Sequence, residues 1–274
     1  MTATNGSLTV GHLNVEIHPS ASVAGDAAAR AAARILQDLS RERETIGVVF
    51  ATGASQLAIL DALIALEDVP WEKIIGLHLD EYVGLRPDHP GSFRHYLTQH
   101  LTSRVGMKVF YGIEGSAEDP ERVCSAYARL VRETEPQLCL MGIGENGHLA
   151  FNDPGVADFQ DPTDVKVVEL DDTCREQQRA EGWFSELSLV PKQAITLTLP
   201  AILRIPHLLV SVPGTRKAAI VRRALDEPIS TACPATALRE HPSATLYLDA
   251  DSALVWEQSN ASTRSAASTG IQGR

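Results

Sequence analysis

The chain has 274 residues, of which 44% are hydrophobic and 22% are charged, a balance that supports one large or two small globular domains. Its formal net charge of −11 disfavours nucleic acid or an anionic membrane as the main partner, because their phosphates would be repelled. The N-terminus lacks a basic stretch followed by an apolar one, and no apolar run approaches the roughly 18 residues of a membrane span. We therefore expect neither secretion nor membrane insertion.

Apolar runs of strand length alternate with helical patterns along most of the chain. An alanine-rich segment with an apolar stripe at 22–39 predicts a helix, and a β-branched run at 46–50 predicts a buried strand. Further helices are predicted at 56–66, 92–101, 120–134, from 173 onward and at 215–225, and further strands at 74–79, 108–111, 137–141, 165–170, 207–212 and 244–248. This alternation predicts an α/β fold with a mostly parallel sheet.

No internal repeat and no clear linker interrupts the pattern, which predicts a single domain over residues 1–258. Residues 259–274 are rich in Ser, Ala, Thr and Gly and show no apolar period, so we expect a disordered tail there. Four widely spaced cysteines form no CxxC pair and accompany no histidine cluster, which predicts neither disulfides nor a zinc site. A reducing, cytoplasmic compartment is expected.

A predicted strand runs into a glycine-rich turn within residues 138–155. The turn carries Asn146, His148 and Asp153 at the carboxyl end of a strand, where parallel sheets present functional groups. Its glycines allow positive φ and a close approach of the backbone to an anionic ligand. Taken alone, these features also fit an ordinary strand-to-helix turn with a hydrogen-bonded histidine.

A second strand end suggests a site for an anion. Thr52, Gly53 and Ser55 lie in a small-residue turn before a predicted helix, and their N–H and hydroxyl groups suit a phosphate monoester. A simple helix cap is the alternative explanation. Farther along, Arg216 and Lys217 lie near another predicted helix start, where cations oppose the helix dipole and therefore indicate an anion nearby.

The strand predicted at 74–79 ends in two adjacent carboxylates, Asp80 and Glu81, which fit either catalysis or solvated acids. Together with the other strand ends, residues 79–85 and 144–154 resemble the glucosamine-6-phosphate deaminase family, within a wider group that includes the 6-phosphogluconolactonases. The lactonase branch usually carries Thr-Ala-Ser after its Gly-His pair, whereas this chain continues as Phe-Asn-Asp at 151–153. The resemblance favours the deaminase and implies a Rossmann-like fold, with helices on both faces of the sheet.

A deaminase of this family converts glucosamine 6-phosphate and water to fructose 6-phosphate and ammonia, with no cofactor and no metal. The resemblance implies that Asp80 moves the proton from C2 to C1 and that His148, supported by Asp153, opens the sugar ring. Many members carry an aspartate where this chain has Asn146, a neutral amide that accepts no proton. Glu145 is a candidate for the missing charge.

The resemblance also implies how the substrate's phosphate is held. It places the phosphate on the turn at 52–56 and on Lys217, in a Gly-x-x-Lys-Ala context. It further implies an arginine between residues 173 and 184, where Arg179 or Arg175 fits. The expected partner is thus a small-molecule sugar phosphate, and the sequence is also compatible with a homo-oligomer.

Two other functions stay open at this level, a lactonase-type hydrolase of sugar phosphates and a non-catalytic sugar-phosphate sensor. Some family members are activated by N-acetylglucosamine 6-phosphate, which binds between subunits through basic residues after the histidine motif. The corresponding residues 156–166 contain three aspartates and one lysine. Because these aspartates would repel a phosphate, we expect no such activation here.

Overall fold

The strands of the chain form two sheets, one large and mostly parallel, the other small and antiparallel. The structure, a computed structural model, describes residues 6–180 and 182–269. Its strands are β1 (Gly6–Val10), β2 (Leu13–His18), β3 (Ile46–Phe50), β4 (Ile74–His78), β5 (Asp80–Tyr82), β6 (Val109–Phe110), β7 (Leu138–Met141), β8 (Val165–Glu169), β9 (Gln193–Leu197), β10 (His207–Val212) and β11 (Ala244–Asp249). Its α-helices are α1 (Ala21–Glu42), α2 (Leu57–Ile64), α3 (Phe93–Leu97), α4 (Pro120–Thr134), α5 (Asp172–Ala180), α6 (Leu199–Leu203), α7 (Ala218–Asp226) and α8 (Ala250–Thr269).

The large sheet has eight strands in the order β1-β2-β11-β10-β7-β3-β4-β6. The β1–β2 pair is antiparallel, and the six other neighbouring pairs are parallel. Alternate residues of β7 face opposite cores: Cys139 and Met141 pack with α4, α7 and α8, whereas Leu138 and Leu140 pack with α1 and α2. Because β7 is buried on both faces, its sequence is a continuous apolar run and not an alternating one. The predicted α/β sheet with helices on both faces is confirmed.

The small antiparallel sheet has the order β5-β9-β8 and was not apparent in the sequence. Asp80 opens β5 and pairs with Thr196 of β9. At three residues, β5 is too short to show an alternating pattern of its own. This pairing holds the segment after β4 against the large sheet's carboxyl edge, where the groups singled out in the sequence lie.

Helix α8 extends into residues 259–269 of the segment predicted as a tail. The helix runs from Ala250 to Thr269, and residues 270–274 lie outside the described part of the chain. Trp256 is buried, and its indole N–H donates to Asp226 Oδ1 at 2.9 Å, so tertiary contacts anchor the first turns. Once a helix is nucleated, a Ser- and Ala-rich segment can extend it without an apolar stripe of its own. No helix within the described ranges is long and apolar enough to cross a membrane.

Candidate active site

A cavity of about 520 Å³ lies at the carboxyl edge of the large sheet. It is lined by the turns that follow β3, β4, β7 and β10, which are neighbours in the sheet order. Parallel strands bring their carboxyl ends to one edge, so segments far apart in sequence meet there. Among the residues singled out in the sequence, those that line the cavity are Thr52, Gly53, Ser55, Asp80, His148, Arg216 and Lys217, whereas Asn146 and Asp153 lie outside its lining.

Asp80 and Glu81 are adjacent in the chain but have different surroundings. Asp80 is largely buried and lines the cavity beside the apolar side chains of Phe93 and Phe151. Glu81 is almost fully buried and accepts hydrogen bonds from the backbone N–H groups that begin α3. Asp80 is therefore the carboxylate that a bound ligand can reach.

The Glu81 carboxylate acts as a cap for α3. It accepts from the N–H groups of Phe93 at 3.1 Å and Arg94 at 2.9 Å, from Ser92 Oγ at 2.8 Å and from Tyr82 N–H at 2.9 Å. Burial raises the pKa of Glu81, although each of these hydrogen bonds acts in the opposite direction. The helix start and β5 are joined through this one side chain.

The turn that carries His148 depends on glycine at two positions. A Cβ on Gly144 would lie 2.2 Å from the His148 imidazole, so only glycine leaves room for the ring. Gly147 has φ +96°, a conformation that side chains disfavour, and its N–H donates to Gly144 O at 3.0 Å. Ala150 also has positive φ, at +52°. Such strain in a non-glycine residue is maintained only where the surrounding structure imposes it.

His148 lines the cavity and is hydrogen-bonded to Asp153, which is not among the lining residues. The imidazole Nδ1 lies 3.0 Å from Asp153 Oδ1, and both side chains are largely buried. Burial by itself would raise the pKa of Asp153, but hydrogen bonds from His148, Asn146 and Cys174, together with the histidine charge, hold that pKa below its usual value. Asp153 is therefore an acceptor for Nδ1–H, which leaves Nε2 as the ring nitrogen for proton exchange.

Asn146 is a neutral residue that forms hydrogen bonds to both Asp153 and His148. Its Nδ2 donates to Asp153 Oδ1 at 2.7 Å, and its Oδ1 accepts from the His148 backbone N–H at 3.0 Å. Glu145, the candidate for the missing charge, instead forms an ion pair with Arg216 at 2.8 Å. Cys174 was not apparent in the sequence; its Sγ–H donates to Asp153 Oδ2 at 3.4 Å.

Two glycine turns at the cavity share one backbone conformation. Gly53, after β3, has φ 99° and ψ 165°, and Gly214, after β10, has φ 94° and ψ 152°. Each glycine precedes a single 3-10 turn that leads into a helix. The first N–H groups of a helix have no intrahelical partner, and such turns suit anions. Lys217 ends the second turn and donates to Ile143 O at 2.8 Å.

The structure does not bring either predicted arginine into the cavity lining. Arg179 pairs with Glu176 on the exposed side of α5. Arg175 is buried, and its guanidinium donates to Val190 O at 3.1 Å. The cavity-lining arginine among the described residues is Arg216, whose signal in the sequence was its place beside Lys217. Over the part of the chain that the structure describes, no three His, Cys, Asp or Glu side chains are grouped to hold a metal ion.

The chain is similar to known proteins over most of its length. A family profile described as glucosamine-6-phosphate isomerases/6-phosphogluconolactonase matches residues 19–247. The glucosamine-6-phosphate deaminase of Geobacillus sp. (strain WCH70) is 36% identical over 228 residues, which cover 80% of this chain and 88% of that protein. The glucosamine-6-phosphate deaminase of Exiguobacterium sibiricum is 35% identical over 219 residues, which cover 79% and 84%.

Solved structures show the same relationship. A monomeric glucosamine-6-phosphate deaminase superimposes with a TM-score of 0.79 at 30% identity, covering 88% of this chain and 99% of that one. The 6-phosphogluconolactonase from Trypanosoma brucei has a TM-score of 0.73 at 17% identity, covering 90% and 98%, a level that shows the fold alone. The chain therefore belongs to the family of glucosamine-6-phosphate isomerases and 6-phosphogluconolactonases.

Proposed function

We propose that the chain is a glucosamine-6-phosphate deaminase, which converts glucosamine 6-phosphate and water to fructose 6-phosphate and ammonia. The observation that carries the proposal is the meeting in one cavity of Asp80, the turn at Gly53 and His148, whose Nδ1 lies 3.0 Å from Asp153 Oδ1. Such a cavity offers a carboxylate base, a proton shuttle and an anion-binding turn, the three elements that this reaction needs. Relatives named as deaminases at 36% and 35% identity support the assignment.

Phosphate binding is the first step of the mechanism. We assign the phosphate to Thr52, Gly53, Ser55 and Lys217, whose N–H, hydroxyl and ammonium groups supply donors to an anion. With the phosphate held there, the sugar ring extends toward Asp80 and His148. The His148 Nε2 then exchanges a proton with the ring oxygen and the C1 hydroxyl, which opens the ring to the aldehyde.

Proton transfer between carbon atoms is the second step. Asp80 takes the C2 proton of the open-chain aldehyde while the substrate's own ammonium group gives a proton to the C1 oxygen, which forms an enolamine, and Asp80 then returns its proton to C1. The C2 carbon is then an imine; water adds to it, and ammonia leaves to give the ketone of fructose 6-phosphate. Asp153 keeps His148 in the tautomer that presents Nε2 to the substrate.

A coupled assay for ammonia and fructose 6-phosphate tests the proposal. Glucosamine 6-phosphate should yield both products in equal amounts, with galactosamine 6-phosphate and 6-phosphogluconolactone assayed in parallel. The control is the His148→Ala variant, which should lose ammonia release. Hydrolysis of the lactone without ammonia release would assign the chain to the lactonases, and binding of the sugar phosphate without turnover would make it a sensor.

We also propose that the enzyme acts as a monomer in the cytoplasm. The structural relative with a TM-score of 0.79 is described as a monomeric deaminase, and the four cysteines here are buried free thiols, which suit a reducing compartment. Sedimentation velocity should give a single species with the mass of one chain. A concentration-dependent larger species would instead support the homo-oligomer that the sequence allows.

A further inference from the structure

Arg216 and Glu145 form an ion pair between two of the turns at the cavity. The Arg216 guanidinium lies 2.8 Å from the Glu145 carboxylate. Arg216 follows β10 and lines the cavity beside Lys217, whereas Glu145 follows β7 in the turn that carries His148. The pair therefore connects the cationic turn to the histidine turn, and the mechanism above uses neither of its members.

The negative charge of a sugar phosphate indicates that a second cation, besides Lys217, contributes to binding it. A phosphate monoester carries about −1.5 to −2 at neutral pH, and Lys217 supplies one positive charge. Arg175 and Arg179 are engaged away from the cavity lining, with Val190 O and Glu176 respectively. Arg216 is the arginine that lies beside Lys217, and a planar guanidinium binds phosphate oxygens in a bidentate manner.

We propose that Arg216 is a phosphate-binding residue and that Glu145 holds its guanidinium until the substrate's phosphate displaces the carboxylate. The Arg216 side chain is 63% exposed and that of Glu145 is 39% exposed, so solvent screens the pair and it is weak. A bidentate bond from arginine to a doubly charged phosphate is stronger, and the exchange therefore favours the substrate. This inference rests on the proposed sugar-phosphate substrate.

An ion pair that gives way to phosphate and a purely structural ion pair predict different effects of substitution on phosphate binding. Because Glu145 competes with phosphate for Arg216, removal of its charge should strengthen phosphate binding. Removal of the arginine should weaken it. If the salt bridge only held the two turns in place, removing either Glu145's charge or the arginine would weaken phosphate binding.

Inorganic phosphate as a ligand tests the proposal without turnover. Calorimetric titration and inhibition constants for phosphate are to be compared in the wild type and in the Arg216→Ala, Glu145→Gln and Arg179→Ala variants. The Arg216→Ala variant should weaken phosphate binding and raise KM by roughly 10- to 100-fold, with kcat changed less than about threefold. The Glu145→Gln variant should tighten phosphate binding by about two- to fivefold.

The matched control is the Arg41–Asp38 pair on α1, an exposed ion pair at 3.0 Å that is absent from the cavity lining. Arg41→Ala and Asp38→Asn should leave phosphate binding unchanged. Unchanged binding in Arg216→Ala would overturn the proposal, as would equal weakening in Glu145→Gln. A loss confined to Arg179→Ala would assign the role to that residue. Because phosphate binding is measured directly, a failed deaminase assay leaves this result interpretable.

Discussion

Side chains that are adjacent in the chain have different surroundings at this edge of the sheet because their hydrogen-bond partners differ. Asp80 faces the ligand space, whereas the four hydrogen bonds that Glu81 accepts hold its carboxylate at the start of α3. Asn146 gives its two polar atoms to Asp153 and to the backbone of His148. At the residue scale, the direction of each side chain decides which chemistry it can perform.

Asp80→Asn should lower kcat by roughly 10²–10⁴-fold with KM largely retained, because the amide cannot accept the C2 proton. Glu81 cannot take over the role, since its carboxylate is turned into the start of α3. Steady-state kinetics with glucosamine 6-phosphate measure the effect, and Asp158→Asn, at an exposed position outside the helices and strands, is the control. Activity within about tenfold of the wild type would rule out Asp80 as the base.

Asn146→Asp should shift the acid limb of the kcat/KM profile to higher pH. In the wild type the pKa of Asp153 is held low, so the carboxylate that orients His148 persists as pH falls toward that value. In the variant, a second carboxylate replaces the amide that donates to Asp153 at 2.7 Å. Repulsion between the two carboxylates raises their pKa, so the carboxylate that orients His148 is protonated at a higher pH than in the wild type.

The measurement is the pH dependence of kcat/KM for the wild type, Asn146→Asp and Asn146→Ala. The shift in Asn146→Asp should be at least about one pH unit. The alanine variant removes the donor without adding charge, and its shift should be smaller. Superimposable profiles for the wild type and Asn146→Asp would show that position 146 does not tune the acid–base pair.

At the scale of elements, β5 and α3 are joined through Glu81. Removing this side chain leaves the buried N–H group of Phe93 and the half-buried N–H group of Arg94 without their acceptor, and an unsatisfied buried group costs about 1–3 kcal/mol. Glu81→Ala should therefore lower the free energy of unfolding by at least about 2 kcal/mol in urea titrations. Glu114→Ala, which removes a half-exposed partner of Arg94, should cost less than about 1 kcal/mol.

The pH dependence of stability has a defined sign at Glu81. Burial raises its folded-state pKa above the ordinary value of 4.5, so the folded state binds more protons than the unfolded state between the two values. The contribution of Glu81 to stability is complete below 4.5 and falls as pH rises through the folded pKa. The difference in unfolding free energy between the wild type and Glu81→Gln should decrease over that range. A difference that increased with pH would contradict the raised pKa.

At the scale of the whole molecule, residues 156–166, which correspond to the segment that binds the effector in regulated family members, contain three aspartates and one lysine, and two of the aspartates are paired with cations. Lys166 Nζ lies 2.7 Å from Asp161 Oδ2, and Arg132 lies 2.6 Å from Asp164 Oδ2. Cations held by neighbouring carboxylates offer little to a phosphate, and unpaired aspartates repel it. A monomer would also lack the subunit boundary at which that effector binds in regulated family members.

Substrate saturation should therefore be hyperbolic and unchanged by N-acetylglucosamine 6-phosphate. The curves are to be measured with and without the effector at several protein concentrations. The effector and the substrate both carry a phosphate group, so the effector can compete with the substrate for the active site. Such competitive inhibition serves as the control that shows the effector binds. A sigmoidal curve that the effector straightens would demonstrate an allosteric site despite the acidic segment.

Elements whose signals are local could be predicted from one segment of the chain. The strands at 46–50 and 207–212 and the helix at 120–134 have the predicted bounds, because apolar runs and helical periodicity are readable within one segment. The gathering of Asp80, His148 and Lys217 was predictable as well, since the carboxyl ends of parallel strands share one edge.

The partner of each polar side chain is set by how the elements pack together and could not be predicted from the chain's local patterns. Glu81 caps α3, Arg175 and Arg179 bind groups away from the cavity lining, and Arg216 lines the cavity instead. Helix α8 likewise has a long-range contact that its own segment does not reveal, from Trp256 Nε1 to Asp226 Oδ1. The direction of a side chain depends on neighbours that are distant in the sequence. Those neighbours cannot be identified from one segment alone.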